Sequence, residues 1–158
     1  MNKDKDSTFD KDSYYWKKDI DYRKFADSYR VGKGEQGVLI CEPYKSEILP
    51  FWKFKTPQIA QKASEAIYKL FLQYLEQDDF VGADMARKFL QMGFTRSRRY
   101  TNYKGGRKYL ADGEKTFPKG SGDPLKAESA SIYYAFWKKA EAQPQYSQKK
   151  KFWKQTYG

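Results

Sequence analysis

Apolar positions recur every three to four residues along two long stretches of the chain. From Ile59 they continue through Ala63, Ala66, Ile67, Leu70, Phe71, Tyr74 and Leu75, while Lys62, Glu65, Lys69 and Gln73 take the opposite side. That period is the mark of an amphipathic helix. Thr56-Pro57 supplies a hydroxyl cap and a proline at the first helical position, so the pattern predicts a helix over 57–77. Asp79 is placed to cap a second helix over 79–92, whose buried side is Phe80, Met85, Phe89, Leu90 and Met92, with Gly93 as its stop. A third helical stretch is expected over Thr95–Tyr103, closed by Gly105-Gly106. Residues 111–123 read as a loop, and Asp123-Pro124 repeats the cap-plus-proline start. The helix that follows, over 124–141, would bury Leu125, Ile132, Tyr133, Phe136, Trp137 and Ala140 and end by Pro144. Lys138 and Lys139 fall in its last turns, where the helix dipole favours cations.

Before the first helix the pattern changes. Tyr29–Val31 and Val38–Cys41 are short β-prone runs separated by Gly32, Gly34 and Gly37, which predicts a hairpin. The second run is continuously apolar, so it is expected to be covered on both faces. Up to Ser13 the chain alternates Lys and Asp with almost no apolar side chains, and 1–13 is expected to be disordered. The expectation is one globular domain over 14–158, an α+β fold that is predominantly α: a compact helical domain with a small N-terminal β-hairpin.

Composition narrows the chemistry. Aromatic residues make up 18% of the 158 positions, far too many for a disordered chain. There is no histidine, which removes imidazole catalysis, Ser-His-Asp triads and histidine metal sites. The one cysteine, Cys41, allows neither an intrachain disulfide nor a paired-cysteine zinc site and is expected to be an inert core thiol. Absence of disulfides, of a signal-peptide pattern and of any long apolar span predicts a cytoplasmic protein without a membrane partner. Nothing in the sequence calls for a cofactor.

Charge changes the picture most. Lys and Arg number 31 against 20 Asp and Glu, a net +11. Residues 85–111 alone carry eight cations and no acid, including five of the seven arginines. Within this stretch cations alternate with Phe94, Tyr100, Tyr103 and Tyr109, and Gly105-Gly106 would let backbone approach an anion closely. Guanidinium forks match phosphate oxygens, and tyrosine rings stack on bases. Arg87, Arg96, Arg98, Arg99, Lys104, Arg107 and Lys108 are therefore candidate phosphate contacts, and Tyr100 and Tyr103 candidate stacking rings, for DNA or RNA. The bland alternative is a solvated basic face. The expected function is a non-enzymatic, nucleic-acid-binding accessory protein. The alternative is a protein-interaction module binding a host or partner protein, which exposed aromatics outside the basic segment, such as Trp16 and Trp153, would favour. Third is a metal-dependent enzyme acting on nucleic acid, for which Glu76, Asp78, Asp79 and Asp84 are the only carboxylate cluster, although capping and an Asp84–Lys88 pair explain them more simply. The glycine-rich Gly32–Gly37 fits neither standard phosphate-loop spacing and reads as a turn. Lys149–Lys151 with Phe152 and Trp153 reads as a C-terminal helix packing on the domain.

YRVGKGEQGVLICEPYKSEILPFWKFKTP (29–57) and DDFVGADMARKFLQMGFTRSRRYTNYKGGRKY (78–109) resemble the family called domain of unknown function 4385, small soluble proteins of bacteria and phages. The resemblance covers about Asp21 to Tyr109 and extends to the helix after it. It implies one compact domain centred on the helices at 57–77 and 79–92, and it brings no catalytic residues. The chain departs at Tyr103, where similar sequences are expected to carry histidine, so an essential histidine there is not implied.

Overall fold

In the computed structural model, residues 17–32, 35, 37–102 and 125–158 are described. The cap at Thr56 forms as its sequence requires: the Oγ1 accepts the Ile59 N–H at 3.2 Å, and Pro57 opens the long helix. A short helix, α1 (Tyr44–Ile48), and a 3₁₀ turn (Leu49–Phe51) precede it; the long helix, α2, spans Pro57–Glu76. Its buried side is Ala60, Ala63, Ser64, Ile67, Phe71, Tyr74 and Leu75, close to the predicted stripe. Asp78 takes a positive φ of 58° to reverse the chain, and Asp79 caps the next helix by accepting Gly82 N–H at 3.1 Å.

That next helix, α3, runs Phe80–Asn102 without a break. The expected stop at Gly93 and the separate helix after it are one continuous helix. A glycine inside a helix costs about 1 kcal/mol relative to alanine, and here it permits close packing. A Cβ at Gly93 would sit 2.3 Å from Cδ1 of Tyr133, and one at Gly82 would sit 2.5 Å from Cδ1 of Tyr74. Both glycines let a neighbouring ring lie against the α3 backbone. Every residue from Phe80 to Leu90 is buried, so α3 is the central rod of the fold and its charged residues there are core residues.

Helix α4 (Leu125–Glu141) and helix α5 (Pro144–Tyr157) complete the domain. Pro144 ends one helix by starting another, with Gln143 as cap. On α4, Tyr133 and Ala140 are buried, and Ile132, Phe136 and Trp137 pack partly buried on the core. Leu125, predicted to be buried, is exposed. Trp153 of α5 lies against Phe80 with ring centroids 5.1 Å apart and donates its indole N–H to Tyr29 O at 2.8 Å.

The hairpin does not form; there is no strand among the described residues. Instead the 37–41 backbone bonds to itself. Gly37 adopts φ 82°, and its carbonyl accepts both Ile40 N–H and Cys41 N–H at 3.1 Å. This turn-like spacing buries Val38 and Cys41, three residues apart, and leaves Leu39 exposed. Among the described residues β pairing is limited to an isolated parallel bridge between Asp21 and Glu42. The physical reason is that the amides of Ile40 and Cys41 are used inside the turn, on the Gly37 carbonyl, rather than in a ladder with a second strand. The segments 1–13 and 111–123 lie outside the described residues. Among the described residues no helix is long and apolar enough to cross a membrane.

Candidate nucleic-acid interface

The basic segment separates into two parts with different surroundings. Arg87 is 3% exposed. Its Nη2 donates to Asp84 Oδ1 at 2.7 Å, its Nε to the Tyr146 hydroxyl at 3.0 Å and its Nη1 to Gln91 Oε1 at 2.8 Å. This corrects the expectation that Arg87 contacts phosphate: its guanidinium is used inside the core. Tyr146 and Tyr29 donate their hydroxyls to Asp84, the former at 2.6 Å. Lys88, also fully buried, has its Nζ 3.9 Å from Asp84 Oδ2 and 5.3 Å from the centre of the Tyr29 ring.

Burial by itself would raise the Asp84 carboxyl. The Arg87 and Lys88 charges and the two tyrosine hydroxyls outweigh it and hold Asp84 well below the usual carboxylate range. For Lys88 burial dominates over the attraction of Asp84 and lowers its pKa to about 8. Sequence alone already paired Asp84 with Lys88; the arginine three residues on and two tyrosines from distant segments complete the centre.

Toward its C-terminal end α3 is only partly covered. Arg99 and Tyr100 are exposed, the latter at 38%, and Arg96 and Arg98 are half-buried. Arg96, Arg99 and Tyr100 are three and four residues apart and share one helix face, while Arg98 projects from another side. Among the described residues no carboxylate pairs with Arg96 or Arg99. Tyr103, Lys104, Arg107 and Lys108 lie outside the described residues.

Tyr100 meets a segment that the charge pattern did not single out. Trp52-Lys53-Phe54-Lys55 alternates aromatic and cation. An extended segment sends alternate side chains to opposite sides, and here both lysines are exposed while both aromatics are partly buried. The Phe54 ring lies 6.0 Å from that of Tyr100. Helix α4 fixes the segment by its carbonyls: Tyr133 donates to Lys53 O at 2.6 Å, and Lys126 Nζ to Phe54 O at 3.0 Å and Lys55 O at 2.7 Å. The Lys126 ammonium also sits 5.3 Å from the Phe54 ring centre. Together Lys53, Phe54, Lys55, Ile59, Tyr100 and Lys126 line an open groove of about 440 Å³. Among the described residues it is lined by three cations and two aromatic rings and by no carboxylate. The alternation in Trp52–Lys55 was the available signal; its link to Tyr100 depends on α4.

The acidic cluster is dispersed into pairs. Asp79 caps α3 and accepts the Tyr44 hydroxyl on both oxygens, at 2.8 and 2.7 Å. Asp78 pairs with Lys149 of α5, and Asp84 belongs to the buried centre. Among the described residues no three potential metal-binding side chains come together. Cys41 is buried, and burial pushes its thiol well above its ordinary range. Trp153 is partly buried against the core and Trp16 lies outside the described residues, whereas Phe25, Phe51, Tyr134 and Phe152, aromatics outside the basic segment, are exposed.

No curated protein and no solved structure matches this chain. A family model described as Domain of unknown function (DUF4385) matches residues 12–156, nearly the whole chain, so the chain belongs to that family.

Proposed function

We propose that the protein is a non-enzymatic nucleic-acid-binding accessory protein, and that the surface around the C-terminal half of α3 is its contact face. The observation that carries this reading is the groove in which Lys53, Lys55 and Lys126 surround Phe54 and Tyr100, with no carboxylate among its described lining residues, beside Arg96 and Arg99. Cations beside accessible rings suit a phosphate backbone with unstacked bases. In sequence α3 is followed by Lys104, Arg107 and Lys108.

Fluorescence anisotropy with labelled DNA and RNA, single- and double-stranded, at several salt concentrations tests the proposal. Each neutralised phosphate releases counterions, so four to six contacts give a log–log slope of about −3 to −4 on a single strand. Arg96→Ala with Arg99→Ala should weaken binding to all sequences alike and flatten the slope by about 0.7 for each phosphate that is no longer neutralised. Tyr100→Ala should cost about 1–3 kcal/mol with little change of slope. If no form binds more tightly than about 100 μM at low salt, which is weaker than ordinary non-specific binding, the proposal fails and a protein-interaction role replaces it.

A further inference from the structure

The groove at Tyr100 does not end there. A second depression of about 380 Å³ lies beside it, lined by Phe51, Lys62, Ala63 and Ala66 among others. Lys53 and Ile59 line both, so the two are lobes of one channel. Four lysines stand along it, Lys53, Lys55, Lys62 and Lys126, and among the described residues neither lobe is lined by a carboxylate. Among the described residues Lys53, Lys55 and Lys62 make no ion pair. This is not a by-product of local composition. Residues 57–84 carry two lysines and five acids, yet the wall α2 presents to the channel contributes Lys62 and no acid. Phe51 is 46% exposed, so each lobe has an accessible ring: Tyr100 beside Phe54 in one, Phe51 in the other.

Resting on the nucleic-acid reading above, we infer that the channel holds a single strand rather than a duplex, and that the strand leaves the basic end of α3, passes Lys53 and reaches Lys62 and Phe51. A duplex keeps the faces of its bases stacked inside and presents phosphate ridges, which would leave the two accessible rings, Tyr100 and Phe51, without a partner. A single strand offers both a backbone for lysines and free base faces for rings. Each lobe is at the low end of the volumes, roughly 300–1,000 Å³, that accommodate small ligands, which suits nucleotides entering one by one. The occupant follows from charge: an acidic, ring-bearing polymer complements a cationic, ring-bearing channel.

The test is anisotropy at low salt with labelled oligothymidylate of about 15 nucleotides and with a mixed-sequence duplex of the same length. The single strand should bind at least about tenfold more tightly. Lys53→Glu with Lys62→Glu should weaken it about tenfold or more and flatten its salt slope by at least about 1.4, the contribution of two phosphates. Phe51→Ala should weaken it about fivefold or more with the slope unchanged. All three side chains are exposed, and circular dichroism identical to the parent verifies that the fold is kept. Equal or tighter duplex binding overturns the inference. So does parental binding by both groove variants while Arg96→Ala with Arg99→Ala weakens it; in that case nucleic-acid binding stands and the channel is not its path. Displacement of the strand by poly(glutamate) at equal charge concentration with equal potency overturns it in favour of an acidic protein partner. Failure of every nucleic acid to bind removes the underlying reading as well.

Discussion

The ring of Tyr133 occupies the space where a side chain at Gly93 would begin: a Cβ there would lie 2.3 Å from Cδ1 and 2.4 Å from Cε1. The same tyrosine carries its hydroxyl to Lys53 O at 2.6 Å. One contact thus sets the approach of α4 to α3, and through it the position of the Lys53–Lys55 segment beside Tyr100. Alanine is the better helix former by about 1 kcal/mol, yet Gly93→Ala should destabilise the protein by about 1–3 kcal/mol because a buried ring cannot yield without displacing its neighbours. Urea unfolding measures it. An unchanged or raised midpoint would show that α3 and α4 are not in this contact.

Asp84 should be the most sensitive position in the core. Asp84→Asn leaves the Arg87 and Lys88 charges buried without their counterion, at a cost of about 3–5 kcal/mol. Melting should fall by about 6–20 °C for a chain of this size. Tyr146→Phe removes one hydroxyl donor and one acceptor and should cost less, about 1–3 kcal/mol. Equal stability of Asp84→Asn and the parent at neutral pH would contradict the ionised centre.

Alkaline pH should unfold the protein steeply. Burial, the largest cause in each case, raises the phenols of Tyr29, Tyr44, Tyr74, Tyr133 and Tyr146. A phenol whose folded pKa exceeds its unfolded value of about 10 binds its proton longer in the native state. Its stabilisation is complete below pH 10 and is lost above it, at up to about 1.4 kcal/mol per pH unit per phenol. The Cys41 thiol acts in the same direction from about pH 9. Lys88 acts oppositely: its pKa is lowered to about 8, so the cost of its buried charge is relieved between about 8 and 10.5. One lysine roughly offsets one thiol, and the five phenols then dominate. Urea midpoints from pH 8 to 11 should be nearly level at first and drop sharply above 10, with tyrosinate absorbance rising in the same step. A gradual tyrosinate titration preceding unfolding would refute the burial of these rings.

Cys41 should be protected in the native state. Its side chain is buried and its thiolate is disfavoured by burial, so a thiol reagent should label the denatured chain fast and the native chain slowly. Rapid native labelling would place Cys41 at the surface.

The helices were legible because their signals are local. Thr56-Pro57, Asp79 and the three-to-four-residue apolar period specify starts and faces with no knowledge of neighbours, and the observed α2 and the start of α3 follow them. The same local evidence misled wherever a distant partner decided the outcome. Gly93 looks like a stop from its propensity, but the Tyr133 ring, forty residues away, uses the absent side chain. Val38–Cys41 looks like a covered strand, but Val38 and Cys41 go into the core while the backbone closes a turn. Arg87 looks like part of a surface cation run, and only the burial of α3 on every side turns it inward to Asp84 and Tyr146. The cations at Arg96 and Arg99 and the alternation at Trp52–Lys55 were each present in the chain as separate patterns. What the sequence determined by itself is which residues carry charge and rings and which stretches are helical, since these depend on neighbours within a turn or two. Which charges are buried, and which lysines stand beside Tyr100, was decided only by the tertiary structure, because those pairings depend on how closely α4 can approach α3.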